Sequence, residues 1–242
     1  AGAVTTIAGT GAVGTADGLG VRSAFTRTYQ IAIDGADAFL YINDGQAAAP
    51  KIRLLDLATT LVSTIATGPS TGGNGIAVNA AGTTVYTSWV SSLRAHGVPQ
   101  PTAVTAAPAA PAFPGAFDAS GQCGTATFAD GDSSASRFSA PAGIAPDTQS
   151  TDMILADTGN HRVRRVSSVG DSSPLAGSGT PAVVDNTGIV AQFSSPSAVV
   201  VDAAGNAFVT ETGGHVVRKI DTGAVVTTLA GLALTNGFAD AT

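Results

Sequence analysis

The sequence predicts an all-β fold of repeated antiparallel sheets, radial or stacked, on three observations. Asp17-Gly18, Asp130-Gly131, Asp185-Asn186 and Asp240 each lie between a Gly/Ala-rich stretch and an apolar one, at separations of 113, 55 and 55 residues. Phe25, Phe138 and Phe193 follow in the same register. Inside each period of about 55 residues the same strand-like runs recur in the same order, the signature of a repeat architecture.

The first run is Ile31-Ala32-Ile33-Asp34, matched by Ile76-Ala77-Val78-Asn79, Ile144-Ala145-Pro146-Asp147 and Val199-Val200-Val201-Asp202. Short apolar runs closed by Asp or Asn read as an innermost strand buried on both faces. A turn, clearest at Gly205-Asn206, leads to the second run: Phe39–Ile42, Val85–Thr87, Met153–Ala156 and Phe208–Thr210. Gly-Asn between apolar runs predicts a tight antiparallel hairpin. The third run alternates basic and aliphatic residues at Lys51–Leu54, Arg162–Arg164 and Val217–Ile220. Period-two alternation predicts a half-exposed strand whose Arg and Lys cover the space between neighbouring sheets. The fourth run is Thr-rich and β-branched: Val4–Gly9, Leu61–Ala66, the degenerate Ser173–Gly177, and Val226–Gly231. It suits an outer strand facing solvent, where Pro174 is tolerated.

The line Thr227-Thr228-Leu229-Ala230-Gly231, an Asp-Gly turn, Ala-x-Phe, Pro-x-Gly-Ile-Ala, Gly-Asn, then Asp157-Thr158-Gly159-Asn160-His161-Arg162-Val163-Arg164 resembles the NHL repeat. That resemblance covers nearly the whole chain and implies a β-propeller of four-stranded antiparallel blades. The blades fall at about 29–68, 75–115, 142–177 and 196–231, all within one domain, 1–242. The third blade matches the motif best. The fourth has Gly214 where the motif has Asn, the first has Gln46–Pro50 in place of the Asn-His corner, and the second, with Ser91–His96, diverges most.

On this reading residues 1–28 hold an unpaired outer strand and a lead-in, and 232–242 lead into a further blade. Three arrangements satisfy the count: a piece of a larger propeller, a four-bladed ring with a redundant strand, or donation of the spare strand Val4, Thr5, Thr6, Ile7, Ala8 to another chain. An unpaired β-branched strand is a donor for edge pairing, and a heterologous contact that does not close makes a filament.

Composition limits the partners. Only 12% of residues are charged and the formal charge is -6, so electrostatics gives no general attraction to nucleic acid or an anionic membrane. No apolar run approaches the ~20 residues that span a bilayer, and the N-terminus lacks the basic start and apolar core of a signal peptide. Cys123 is the single cysteine, which leaves no internal disulfide. Residues 98–115 contain five of the twelve prolines and read as a surface insertion. Their spaced Ala-Pro and Thr-Pro pairs resemble O-glycosylated modules of hydroxyproline-rich wall proteins, which implies Pro99, Pro101, Thr102, Thr105, Pro108 and Pro111 as glycosylation candidates.

Chemistry is sparse. His161 and His215 occupy the same corner of successive repeats and read as satisfied turn histidines; His96 stands apart. Asp34, Asn79, Asp147 and Asp202 end the four inner strands and are weak candidates for a metal ring; capping their own hairpins is the simpler role. No Ser-His-Asp order, Gly-rich phosphate loop or Cys/His cluster is present. The expectation is therefore a cofactor-free, non-catalytic interaction or structural module of a secreted or cell-surface glycoprotein, with protein partners that include copies of itself. The alternative is a lyase or lactonase-like propeller enzyme with a metal in its central channel.

Overall fold

The computed structural model describes residues 2–45, 50–67, 73–79, 81–89, 92–98, 128–132, 135–168 and 170–237. The chain forms two compact units, Ala1–Ala116 and Phe117–Thr242. The Pro/Ala segment from residue 99, with its six glycosylation candidates, and Cys123 and Asp240 lie outside the described residues.

The first unit holds β1 (Gly18–Leu19), β2 (Thr28–Ile33), β3 (Phe39–Asp44), β4 (Lys51–Asp56) and β5 (Leu61–Thr67), then β6 (Gly73–Val78), β7 (Thr84–Trp89) and β8 (Ser92–Gly97). Sheet one runs β1-β5-β4-β3-β2 and sheet two β6-β7-β8, all antiparallel. The second unit holds β9 (Ile144–Pro146), β10 (Met153–Asp157), β11 (Arg162–Val166) and β12 (Ser172–Ala176), then β13 (Asn186–Thr187), β14 (Pro196–Val201), β15 (Ala207–Glu211), β16 (Val216–Ile220) and β17 (Val225–Ala230). Sheet three runs β12-β11-β10-β9 and sheet four β13-β17-β16-β15-β14.

Sheets one and four thus have five strands rather than the expected four. The residues after Asp17 and Asp185 turn back to pair with the outer strand of their own sheet, Gly18 with Val62 and Asn186 with Val226. In sheet three a single bridge, Gly131 with Ser172, stands in the same place. The lead-in is therefore not free: it covers the outer edge that the sequence reading left facing solvent. Each outer strand also carries one extra residue opposite the arginine position, the register slipping between Ile52 and Arg53, Val163 and Arg164, and Val217 and Arg218. Such bulges sharpen local twist.

Sheets stack face to face within each unit by one rule. In the second unit Ala145, Ile154, Val163 and Ala176 of sheet three pack against Val199, Val209, Ile220 and Val226 of sheet four and against Phe193 from the segment before β14. In the first unit Tyr41 and Ile52, with Ala32 and Ala66, present the equivalent face of sheet one to Ile76, Val78 and Val85 of sheet two. Within each unit the earlier sheet thus turns a forward face to the later one, which meets it with its back face.

The expectation for the third strand is corrected. Arg53, Arg164 and Arg218 do not cover a gap between sheets; each is wholly buried. Arg53 pairs with Asp44 at 2.9 Å and Asp17 at 2.9 Å, and donates to the carbonyls of Ala24 and Ala16. Arg164 does the same with Asp157 and Asp130, and Arg218 with Glu211 and Asp185. The guanidinium carbons lie 5.1, 4.7 and 5.0 Å from the ring centroids of Phe25, Phe138 and Phe193. The recurrent Asp and Phe of the period therefore exist to seat a buried arginine, whose charge needs paired carboxylates and carbonyls once removed from water. The second acid also closes the outer edge: Asp185 accepts from the Thr228 N–H and hydroxyl, as Asp17 does from Thr64. Burial opposes ionisation of Asp185, but the Thr228 bonds and Arg218 outweigh it and hold the carboxyl below the usual range.

Sheet two departs from this scheme. Trp89 stands in register where the others have the carboxylate, and Arg94 forms no ion pair among the described residues. Thr87 and His96, which pair at 3.0 Å, replace two aliphatic positions of the back face.

Candidate functional site

The strongest candidate is the back face of sheet one together with the segment beside it. Gly9, Thr10 and Gly14 donate to the carbonyls of Gly20, Ser23 and Phe25, and the second unit repeats these bonds with Gly177, Ser178 and Ala182 donating to Gly188, Ala191 and Phe193. The correspondence places Val4–Ala8 in the register of β12, the outer strand that precedes sheet four. In β12 the chain pairs with β11. Residues 4–8 belong to no strand, and Val4 is 97% exposed.

What β12's own sheet covers in the second unit is bare in the first. Val199 on the back face of sheet four is 5% exposed under sheet three, whereas Ile31, its equivalent on sheet one, is 61% exposed. This corrects the expectation that every inner strand is buried on both faces. The result is an open groove of about 550 Å³ whose floor is Phe25, Ile31, Leu40, Ile42 and Leu55 and whose wall is Thr6–Gly9. Ala8 packs onto the Ile42, Leu55, Val62 cluster below it. Apart from Arg27, which stacks over Tyr29 at 5.2 Å, no charged side chain among the described residues lines the groove. An apolar floor beside extended sequence that belongs to no sheet suits an apolar partner surface better than it suits a polar small molecule.

The other candidates resolve into turn chemistry. Asp34 accepts from the N–H groups of Ala38 and Phe39, Asn79 from Thr83 and Thr84, and Asp147 from Gln149 and the Ser150 hydroxyl. Arg165 also pairs with Asp147 at 2.8 Å. The Asn206 amide and N–H, with the Ala204 N–H, hold the Asp202 carboxyl below the usual range. The oxygens that a metal would need are thus turned onto their own hairpins. Among the described residues no three His, Cys, Asp or Glu side chains cluster to hold a metal ion.

His161 adopts a left-handed backbone at φ 54°, and its Nδ1 accepts from the Ser195 N–H of the next sheet. Beside it the Thr158 hydroxyl donates to the Pro196 carbonyl at 2.6 Å. The corner histidine is a latch between sheets, a role that reading each repeat alone misses. Burial, with the charge of Arg94, drives His96 down to about 4.

No protein-family model matches the chain, and no curated protein matches it. Solved structures do. A protein of unknown function from Bacteroides thetaiotaomicron VPI-5482 matches 96% of this chain at 16% identity and a TM-score of 0.50. An auxiliary nutrient binding protein from the same organism matches 79% at 16% identity and 0.54, and virginiamycin B lyase from Staphylococcus aureus matches 85% at 10% identity and 0.52. The match covers 64%, 58% and 58% of those chains, so this chain spans less than two thirds of each. The chain has an all-β fold of antiparallel sheets structurally similar to β-propeller proteins. At such identities the likeness fixes the fold alone.

Proposed function

We propose that the chain is a non-catalytic NHL-type propeller module of a secreted or cell-surface protein, built to associate with copies of itself head to tail. One observation carries this reading: residues 4–8 hold the register of an outer strand, without a sheet, beside an apolar face that the second unit buries in the equivalent place. Sparse charge and abundant Thr and Ser support an extracellular setting. The NHL assignment draws on the Asn160-His161 corner and on the recurring Asp-Gly and Phe positions. Glycans on the Pro/Ala segment would appear as sugar mass increments in mass spectrometry of native material.

Removing residues 1–8 tests the association. They contribute no strand to sheet one, so the rest of the sheet keeps its bonds. Electron microscopy and light scattering of the intact chain should show extended or higher-mass particles, and the truncated chain should show single copies. Identical distributions for the two would refute the reading.

A further inference from the structure

We propose that Arg94 of sheet two, with Thr87 and His96 beside it, binds a dicarboxylate from outside the chain, one carboxylate on each terminal nitrogen of the guanidinium.

The register carries the comparison. Arg94 stands opposite Thr87, and Thr87 opposite Ile76. Arg53 aligns in the same way with Ile42 and Ile31, Arg164 with Leu155 and Ile144, and Arg218 with Val209 and Val199. In those three sheets the guanidinium receives two carboxylates. Nη1 takes the acid two residues further along the second strand, Asp44, Asp157 or Glu211, and Nη2 takes Asp17, Asp130 or Asp185 from the lead-in.

Sheet two supplies neither. Trp89 holds the second-strand position, and residues 68–72 alone separate β5 from β6. In the second unit residues 177–195, which carry Asp185 and Phe193, separate β12 from β14. From residue 57 to 117 the sequence has no Asp or Glu, and Arg94 is its one Lys or Arg. The acids of the first unit are engaged elsewhere: Asp17 and Asp44 hold Arg53, Asp34 and Asp56 cap their own turns, and Asp37 is exposed in the turn of Asp34.

The surroundings change with the loss of the carboxylates. Thr87 stands where the other sheets have Ile42, Leu155 and Val209, and His96 where they have Leu55, Val166 and Ile220. Thr87 is wholly buried. Ile76, Val78 and Val85, on the same side of sheet two, pack against sheet one, so the polar pair and the arginine share the side that faces it. Arg94 is half-buried, not wholly buried as the other three are, so solvent and solutes reach it. Its Nε is buried without a hydrogen-bond partner. A guanidinium stays charged at any ordinary pH, and its planar fork matches carboxylate oxygens. A dicarboxylate would bring in one molecule what the other arginines draw from two segments, with a hydroxyl and an imidazole offering bonds that aliphatic side chains cannot.

The test uses the intact chain and succinate as the probe, read by the fluorescence of Trp89, the single tryptophan, and by thermal unfolding. Succinate should change the fluorescence saturably and raise the unfolding midpoint with its concentration. Acetate and phosphate should bind at least about tenfold more weakly, as expected for loss of one charge-assisted contact. Arg94→Met should abolish both responses and unfold at the same temperature as the parent without ligand, and Arg94→Lys, which keeps the charge without the fork, should bind more weakly than the parent. No response of the intact chain, or one that survives Arg94→Met, would overturn the proposal. Acetate or phosphate binding as tightly as succinate would overturn the dicarboxylate class in favour of a general anion site. Binding that appears only after Asp118→Asn would overturn it too, by showing that the chain's next acid already fills the seat.

Discussion

Replacing Arg218 with Met should be among the most damaging single changes in the second unit. The side chain is wholly buried against the equally buried Glu211 carboxylate, and it also donates to the Gln192 and Val184 carbonyls at 3.1 and 3.0 Å. Met restores much of the volume and none of the charge. Glu211 is left with the Ser194 N–H as its neighbour, and two carbonyls lose a donor at about 1 kcal/mol each. The Asp185 arm is half-exposed, so its loss adds little. Breaking a buried pair from one side costs about 3–5 kcal/mol, and the sum here points to ~4 kcal/mol. The assay is urea unfolding followed by circular dichroism, with hydrogen exchange to assign the loss to the second unit. The companion Arg218→Met/Glu211→Leu removes the stranded charge and should recover about 2 kcal/mol. A single variant costing under ~1 kcal/mol, or a double variant worse than the single, would refute the claim that the ion pair matters through its burial.

Four further outcomes follow from the same geometry. Gly177 sits at φ +107°, and a Cβ there would meet the His161 carbonyl oxygen at 2.8 Å, so Gly177→Ala should cost over 2 kcal/mol in thermal unfolding, by roughly the clash plus the backbone term. Gly9 has φ +108° but would meet only the Phe25 ring at 3.4 Å, so Gly9→Ala should cost about 1 kcal/mol. His96 is neutral in the fold down to about pH 4 and protonates near 6.5 when unfolded, so the unfolded state binds more protons between those values. Stability should fall by ~3 kcal/mol as pH drops from 7 to 4, and His96→Leu should remove that part of the slope; parallel curves for the two proteins would contradict the assignment. Asp202→Ala should lower stability through the loss of its turn bonds, equally with millimolar calcium or with chelator. A calcium-dependent difference would instead make Asp202 a ligand.

The period, the hairpins and the inner and outer runs were legible in the sequence because each follows from the spacing of apolar residues and turn formers. The arginines were not. A basic residue alternating with Val or Ile on a strand has the pattern of a solvated face, and only the distant Asp17, Asp130 and Asp185, with Asp44, Asp157 and Glu211, reveal that its charge is satisfied inside. A joint pattern of Asp, Phe, acid and Arg across one period was the available signal. The two-residue strands Gly18–Leu19 and Asn186–Thr187 leave no periodicity to read, since pairing there is set by where the outer strand already lies. For the candidate site, Val4–Ala8 was recognisable as a strand without a place. That Ile31 is bare while Val199 is covered depends on what lies beside each sheet in space, which no local pattern encodes.

The arginine seats have a consequence for how this chain holds together without cystines. Each one ties residues far apart in sequence, Asp17 to Arg53, Asp130 to Arg164 and Asp185 to Arg218, and so closes a loop as a disulfide would. Unlike a disulfide, the tie forms without an oxidant and survives reductant, so the fold should be indifferent to redox compartment. Each loop lies within a single repeat, which keeps the entropy of closure small and the contacts local. A repeat can therefore fasten itself soon after its outer strand has been made, and growth of the array by one more repeat need not disturb those already fastened.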